Sequence, residues 1–202
     1  MENNTNTIPK QFKGSHTDTG YYVDCIDEAE ASELYTVAKN RLLKISEWHH
    51  YSGDGTADFN LTDTEGQLVS RLAQVSDHFR IDIPGPGSVT GDGFDWVKIE
   101  KIEESDDQTV VQVRPATNPT NQDSAIAHFF TDEASSTFIV KKVSLRILAE
   151  VHGRNEEANT KENSFIDKAR NVLVATGAKL GLSEFQWKSL TKGLLEVKSA
   201  GA

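Results

Sequence analysis

A glycine- and proline-rich run between two alternating segments constrains the fold of this chain more than any other feature. The run covers residues 84–93 and contains four glycines and two prolines. Before it, Phe79, Ile81 and Ile83 alternate with polar residues, and the segment 94–102 after it has the same strand character. Glycine and proline concentrate where the backbone takes positive φ, turns sharply or passes close to another group. The sequence therefore predicts a long loop that joins two β-strands.

Similar strand patterns recur along the chain. We predict further strands over residues 21–26, 57–61, 109–113, 137–140 and 143–151. The last is the clearest, because every second residue from Val143 to Val151 is apolar. An acidic turn over 103–107 closes a hairpin. Two segments keep an open assignment: 67–76, whose apolar spacing fits a short helix face, and 125–130, which is apolar but of undefined type.

One helix is predicted near the N-terminus. Asp27 can cap its first turn, and Glu30 stands three residues later in the capping-box position. Apolar residues between Leu34 and Ile45 then recur at helical spacing. Gly53 marks the end of this helical region.

Two more helices are predicted at the C-terminal end, over residues 164–180 and 182–197. Gly181 would end the first helix, and Ser183 would cap the second. The second helix is expected to bury four apolar side chains: Phe185, Trp187, Leu190 and Leu194.

Together these elements predict one α+β domain, a curved antiparallel sheet with an N-terminal helix and a C-terminal helical pair. A chain of 202 residues is long enough for one good core. Residues 1–18 are polar and aperiodic, and we interpret them as a mobile N-terminal arm. The domain is therefore assigned to residues 19–202, with a helical C-terminal segment at 164–197.

The order of the predicted elements resembles the helix-grip arrangement of the START-like ligand-binding superfamily. The resemblance covers residues 21–197 and includes the first helical segment, residues 26–48. In that superfamily, a curved antiparallel sheet wraps a long C-terminal helix around a cavity. The resemblance implies a site for a small molecule between the sheet and the helices.

Charge is distributed unevenly along the chain. The formal net charge is −10, but residues 164–202 carry six basic and three acidic side chains, so the first 163 residues carry −13. An acidic body argues against nucleic acid as a partner, because phosphates bind basic surfaces. The basic C-terminal segment either docks on an acidic surface, in this chain or in a second copy, or forms ordinary solvated helix faces.

The sequence also bounds the cellular setting. Residues 1–7 have neither the basic start nor the apolar run of a signal peptide, and no segment is long and apolar enough for a membrane span. Cys25 is the single cysteine, which excludes an intrachain disulfide and a cysteine-rich zinc site. We therefore expect a soluble, cytoplasmic protein that has no membrane partner.

No complete catalytic, metal or cofactor motif is present. Residues 54–65 carry oxygen-bearing side chains at several EF-hand positions, but Phe59 stands where a calcium loop requires glycine. His49 and His50 are adjacent on a helix, point in different directions and seldom share a metal in that arrangement. The glycine-rich run also lacks the ending of a phosphate-binding loop. We predict no metal site and no cofactor.

Basic side chains and one tryptophan on the strands make up the candidate ligand site. Arg80, Arg114 and Arg146 fall on three strands. On adjacent strands they would converge on a carboxylate or phosphate; otherwise they are the solvent sides of half-buried strands. His152 and Arg154 end the clearest strand, where scaffolds commonly carry functional groups. The candidate ligand-binding set is Arg80, Arg114, Arg146, Trp96, His152 and Arg154.

Three functions are compatible with these features, and the first is preferred. The first is non-catalytic binding of a small, partly apolar ligand between sheet and helices, with residues 84–93 as a lid. The second is a protein-interaction or assembly subunit, including a homo-oligomer, that acts through the acidic body, the arm and the basic helices. The third is a hydrolase-like or isomerase-like enzyme with His152, Asp92 or Asp95 as acid or base.

Overall fold

The computed structural model describes residues 7–53, 56–82, 88, 90–159 and 178–196, and the structural statements below refer to them. Seven strands form one antiparallel sheet: β1 (Ser15–Asp24), β2 (Asp58–Thr62), β3 (His78–Asp82), β4 (Asp95–Glu104), β5 (Gln108–Pro115), β6 (Ser135–Val143) and β7 (Arg146–Glu156). Their order across the sheet is β1-β7-β6-β5-β4-β3-β2. The first and second strands therefore form the two edges. The α+β class and the antiparallel sheet are confirmed.

Helices enter the sequence between β1 and β2 and again after β7. The first is α1 (Glu28–Leu43), and its N-terminus is the predicted capping box. The Asp27 carboxylate accepts a hydrogen bond from the Glu30 N–H, and the Glu30 carboxylate accepts one from the Ile26 N–H. The helical region is interrupted at Lys44 and continues as a 3₁₀ turn (Ile45–Glu47) and the short helix α2 (Trp48–Ser52). The last helix is α3 (Ala178–Leu195).

The sheet is strongly curved around Trp48, the first residue of α2. Trp48 is fully buried, and its ring centroid lies 5.3 Å from that of Phe59 on β2 and 4.8 Å from that of Phe138 on β6. These strands are four positions apart, which is about 19 Å in a flat sheet. Contact of both rings with one indole therefore requires the sheet to bend into a trough. We call the inner side of the bend the inner face and the other side the outer face.

The helix α3 packs against β1, β7, α1 and α2 and covers part of the inner face. The Gln186 amide joins it to the rest of the chain, because its oxygen accepts from the Ala57 N–H and its nitrogen donates to the Ser52 hydroxyl. Arg41 donates to the carbonyls of Gly193 and Leu194 near the helix end. These bonds satisfy polar groups that would otherwise be costly to bury.

Close contact between α2 and α3 occurs at Gly193. A Cβ atom at this position would lie 2.0 Å from the Tyr51 carbonyl oxygen. The neighbouring Tyr51 ring lies under Arg41, and its hydroxyl donates to Glu47 at 2.6 Å. Burial and this hydrogen bond raise the pKa of Tyr51 to about 12, so the phenol stays protonated and keeps donating.

The C-terminal helix differs from the prediction. It continues through Gly181 and Ser183, so the predicted break and cap are wrong at these positions. Phe185 is 52% exposed rather than buried, whereas Leu190 and Leu194 are buried and Trp187 is half-buried against the core. The tendency of glycine to end a helix is a local preference, and packing of α3 on the sheet outweighs it. Residues 160–177, which include most of the first predicted helix, lie outside the described residues.

One strand prediction needs correction at its start, and the two segments left open contain no helix. The predicted strand 143–151 begins only at Arg146, because residues 144–145 form the turn between β6 and β7 and Ser144 has a φ of 56°. Val143 and Leu145 are consequently exposed, while Ile147, Ala149 and Val151 are buried on the inner face. Residues 67–76 and 125–130 form no helix and contribute only isolated bridges, at Leu68 and Phe130.

The N-terminal segment is more ordered than an arm spanning residues 1–18 would be. Strand β1 already begins at Ser15. Just before it, the Asn155 side chain accepts a hydrogen bond from the Phe12 N–H at 2.8 Å, and its amide donates to the Lys10 carbonyl. Asn155 has a φ of 55°, which asparagine tolerates better than most residues. Residues 1–6 lie outside the described residues.

The element order agrees with the START-like resemblance at the level of the fold. A strand is followed by helices, six further antiparallel strands and a C-terminal helix that packs over the inner face of a curved sheet. No helix among the described residues has the length and apolar composition that a membrane crossing requires.

Candidate functional site

The trough between the inner face and α3 is filled by aromatic side chains that pack on one another. Trp187 of α3 lies with its ring centroid 5.2 Å from that of Phe138 and 6.2 Å from that of Phe59. Trp48 occupies the floor, and Phe79 of β3 contacts it at 5.8 Å. Trp187 is half-buried, so the aromatic cluster extends from the floor of the trough to its solvent-exposed edge.

One acidic side chain shares this inner face. Asp95, at the start of β4, lies opposite Ile81 of β3 and on the same face as Val97. It is 1% exposed. A carboxylate buried on an otherwise apolar face is costly unless hydrogen bonds or charges compensate for it, and it gives the trough one strongly polar point.

The six predicted ligand-binding residues all lie on the outer face. Their side chains point to the side opposite the buried inner cluster in the alternation of each strand. The six residues are Arg80, Trp96, Arg114, Arg146, His152 and Arg154. A ligand held between sheet and helices would therefore not meet them. The prediction chose residues on one common face, but that face is turned away from α3.

The three arginines do not converge. Arg114 donates to the Glu100 carboxylate at 2.7 Å, at the end of β5 near β4. Arg146 forms a two-bond pair with the Asp24 carboxylate at the opposite end of the sheet, with bonds of 2.6 and 2.8 Å. Arg80 lies on β3 and stacks over Phe94 instead. The interpretation as separate outer-face positions is the one that the geometry favours.

His152 and Arg154 belong to a network that joins β1, β6 and β7. His152 Nδ1 lies 2.6 Å from Asp18, which also accepts from Arg154 at 2.8 Å. On its other side, His152 Nε2 lies 3.6 Å from Glu150, which pairs with Lys141 at 2.9 Å. Burial acts to lower the pKa of His152, but the two carboxylates outweigh it and the pKa is raised. Burial likewise acts to raise the pKa of Asp18, and His152 and Arg154 reverse this.

This network predicts a mild pH dependence of stability. The His152 pKa lies above 6.5 in the folded chain, so its contribution is complete below about pH 6.5 and is lost as the pH rises through the raised value. The wild type should lose more stability between about pH 6 and about pH 9 than His152→Gln, by less than about 1 kcal/mol. Urea unfolding at several pH values measures this difference. His50→Gln, an exposed histidine outside the network, is the control, and equal pH profiles for wild type and His152→Gln would contradict the assignment.

The three candidate acid–base residues do not share a site. His152 lies on the outer face of β7, whereas Asp95 lies on the inner face of β4. Asp92 lies in the loop before β4, with a φ of 53°, and accepts a hydrogen bond from the Asn118 amide at 2.8 Å. Asp92 therefore fixes the neighbouring loop.

A polar cleft of about 370 Å³ lies between α1 and the β4–β5 turn. Lys39 and Lys142 flank it, but each already pairs with carboxylates, Lys39 with Glu104 and Lys142 with Glu28 and Asp107. The Tyr35 hydroxyl at its base bonds to the Ser105 carbonyl. Because its charges are paired, the cleft offers weaker chemistry for recognition than the trough.

Sequence reasoning missed the residues that define the trough. Trp48 follows Ile45 at helical spacing but was not among the candidate residues, and Gln186 is polar on a helix predicted from its apolar face. The available signal was the concentration of bulky aromatic residues on the inner faces of β2, β3 and β6, which are Phe59, Phe79 and Phe138. Such a set needs a partner in the space between the strands.

Comparison with known proteins gives agreement at the level of the fold. No family model matches the chain, and no curated protein matches it by sequence. Among solved structures, the chain is similar to the hypothetical protein jhp0584 from Helicobacter pylori, with 12% identity, a TM-score of 0.56 and coverage of 91% of this chain and 87% of that one. At this identity, the similarity shows a common fold.

Looser matches are found among plant proteins. Norcoclaurine synthase from Thalictrum flavum aligns with 12% identity and a TM-score of 0.40, over 89% of this chain and 97% of that one. Major latex-like protein 151 from Panax ginseng aligns with 11% identity and a TM-score of 0.36, over 81% of this chain and 94% of that one. These superpositions are too loose to inform the function of this chain.

Proposed function

We propose that the protein is a non-catalytic module that binds a small, largely apolar ligand in the trough between the inner face and α3. The observation that carries the proposal is the aromatic cluster, in which side chains from β2, β3, β6 and α3 gather around Trp48. Ligand sites are mostly apolar concavities with few polar groups. The rings pack closely on one another and only Trp187 among them is half-buried, so a ligand would reach them by displacing the Trp187 indole.

The half-buried Trp187 is the side chain that such a ligand would meet first. It bridges Phe59 and Phe138 while keeping one side accessible to solvent. Rotation of this indole would admit the ligand without displacement of the buried Trp48.

Fluorescence titration with N-phenyl-1-naphthylamine tests the proposal, because this neutral probe brightens in apolar surroundings. We expect saturable binding at one site. Trp187→Ala should weaken it about tenfold, since the change removes an aromatic contact and opens the trough to water. Phe185→Ala on the exposed face of the same helix is the matched control and should leave binding unchanged.

Two results would contradict the proposal: no saturable binding by the folded wild type, or equal losses in the two variants. Circular dichroism of each variant checks that it is folded. Should Trp187→Ala fail to fold, Trp187→Tyr supplies a milder change at the same position, with a smaller loss expected.

Self-association is a second candidate, favoured by the exposed edge strand β1. The Cys25 N–H donates to the Leu145 carbonyl of the neighbouring segment. Because backbone groups along a strand point alternately to the two sides, the N–H and carbonyl of Tyr22 point outward from the sheet edge. Antiparallel pairing of two copies about Tyr22 would place Asp24 opposite Gly20 of the second copy, which avoids like charges. Exposed apolar side chains near the end of this edge would add contact area: Tyr22, Ile26, Val143 and Leu145. The number of subunits in solution tests this candidate.

A further inference from the structure

We propose that Arg80 on the outer face is an oxyanion-binding residue that recognises a carboxylate or phosphate group of a small molecule. The proposal is independent of the trough, because Arg80 faces away from α3. Arginine presents a rigid planar fork of N–H donors that matches both kinds of oxyanion.

Arg80 is the guanidinium without a hydrogen-bonded or ion-paired partner among the arginines that the structure describes. The others are all engaged: Arg41 with carbonyls, Arg71 with Asp77, Arg114 with Glu100, Arg146 with Asp24 and Arg154 with Asp18. Arg80 Nε is shielded from solvent and has no hydrogen-bond partner. The terminal Nη atoms are therefore the donors available to a ligand, which would bind end-on.

The guanidinium is held in place by an aromatic support. Its central carbon lies 4.2 Å from the centre of the Phe94 ring, and Trp96 is its cross-strand neighbour on β4. Stacking on Phe94 orients the fork while leaving its edge free to donate. Fixing the side chain in advance lowers the entropy cost of binding an anion.

The end of the glycine-rich loop, residues 91–93, positions the aromatic rings beside Arg80. The Gly91 carbonyl accepts hydrogen bonds from both the Phe94 N–H and the Trp96 indole. A Cβ at Gly91 would lie 1.9 Å from the Phe94 carbonyl oxygen, so only glycine fits this turn. Asp92 and Gly93, with φ of 53° and 93°, complete it. The most prominent feature of the sequence thus positions the two rings beside Arg80.

Arg80 has charged neighbours of both signs on the outer face. His78 and Lys98 lie on one side along the same face, and Asp82 and Asp58 lie on the other. Asp82 lies two residues after Arg80 on β3, and Asp58 is the partner of Asp82 on β2. Among the contacts of the described residues, neither carboxylate lies within ion-pairing distance of Arg80. The unpaired fork is therefore a donor site that the described part of the chain does not use.

Nuclear magnetic resonance titration tests the proposal with inorganic phosphate and, separately, with benzoate at low ionic strength. We expect saturable shifts of the Arg80 Nε–H signal and of the backbone amide signal of its neighbour Trp96 with at least one anion, and a dissociation constant on the order of millimolar or tighter. Arg80→Lys keeps the charge but loses the fork, and should weaken binding, read from the Trp96 amide signal, about tenfold. A response to phosphate alone identifies a phosphate ligand, and a response to benzoate alone a carboxylate ligand.

Arg146→Lys is the matched control, since Arg146 also stacks on a ring, that of Tyr22 at 4.0 Å, but is paired with Asp24. It should leave anion binding unchanged. Absence of a saturable shift with both anions, or an equal affinity in Arg80→Lys and wild type, would overturn the proposal. Because both probes are charged and the trough probe is neutral, failure here is distinguishable from failure of the ligand-binding proposal.

Discussion

Gly193→Ala should destabilise the protein by about 2 kcal/mol, although a helix normally gains stability from such a change. Alanine is better than glycine in a helix interior by about 1 kcal/mol. Here the added Cβ would lie 2.0 Å from the backbone oxygen of Tyr51, so α2 and α3 must move apart. Overpacking of this kind typically costs about 1–3 kcal/mol. Urea unfolding followed by circular dichroism measures the change.

The sign of this effect separates docking of α3 from simple helix propensity. Lys192→Ala, at the exposed residue just before Gly193, is the control and should change stability by less than about 0.5 kcal/mol. A stabilised Gly193→Ala protein would show that α3 does not pack against α2 as closely as described.

Trp48→Ala should have the largest effect of any single change, a loss of about 3–5 kcal/mol. The indole is fully buried, contacts three phenylalanine rings and donates to the carbonyls of Arg41 and Leu42. Its removal leaves a void between the inner faces of β2, β3 and β6. It also removes the hydrogen bonds that the indole donates at the end of α1. Guanidinium unfolding measures the loss.

Trp48→Phe is the companion variant. It keeps most of the ring volume but loses the indole N–H, so we expect a smaller loss of about 1–2 kcal/mol. Near-ultraviolet circular dichroism then reports whether the aromatic cluster remains packed. A Trp48→Ala protein as stable as wild type would contradict the position of Trp48 at the centre of the trough.

The features that could be predicted from the sequence are those set by neighbouring residues. The capping box at Asp27 and Glu30 and the alternation in β3 and β7 depend on local hydrogen bonds and on the period of a strand. The same alternation separates Arg80, Arg114 and Arg146 from the apolar residues beside them in each strand. It gave no means to decide which face α3 covers, because that choice depends on how the whole sheet curves.

The predictions that the structure corrects have a common physical cause. Apolar alternation continues through Val143 and Leu145 although the chain turns there, so the pattern hid the turn. Gly181 suggested a helix end, but packing of Leu190 and Leu194 on the sheet supports a continuous helix from Ala178. In both places, long-range contacts decide the structure. The role of Trp48 belongs to the same class, since its partners lie on strands far apart in the sequence.

Native mass spectrometry of freshly purified protein tests the central claim, that the trough is a ligand site, most directly. It reads bound mass and number of subunits in one spectrum. We expect a discrete small-molecule adduct, one per chain, that added N-phenyl-1-naphthylamine displaces. A chain that carries no adduct and takes up none of the probe would contradict the claim.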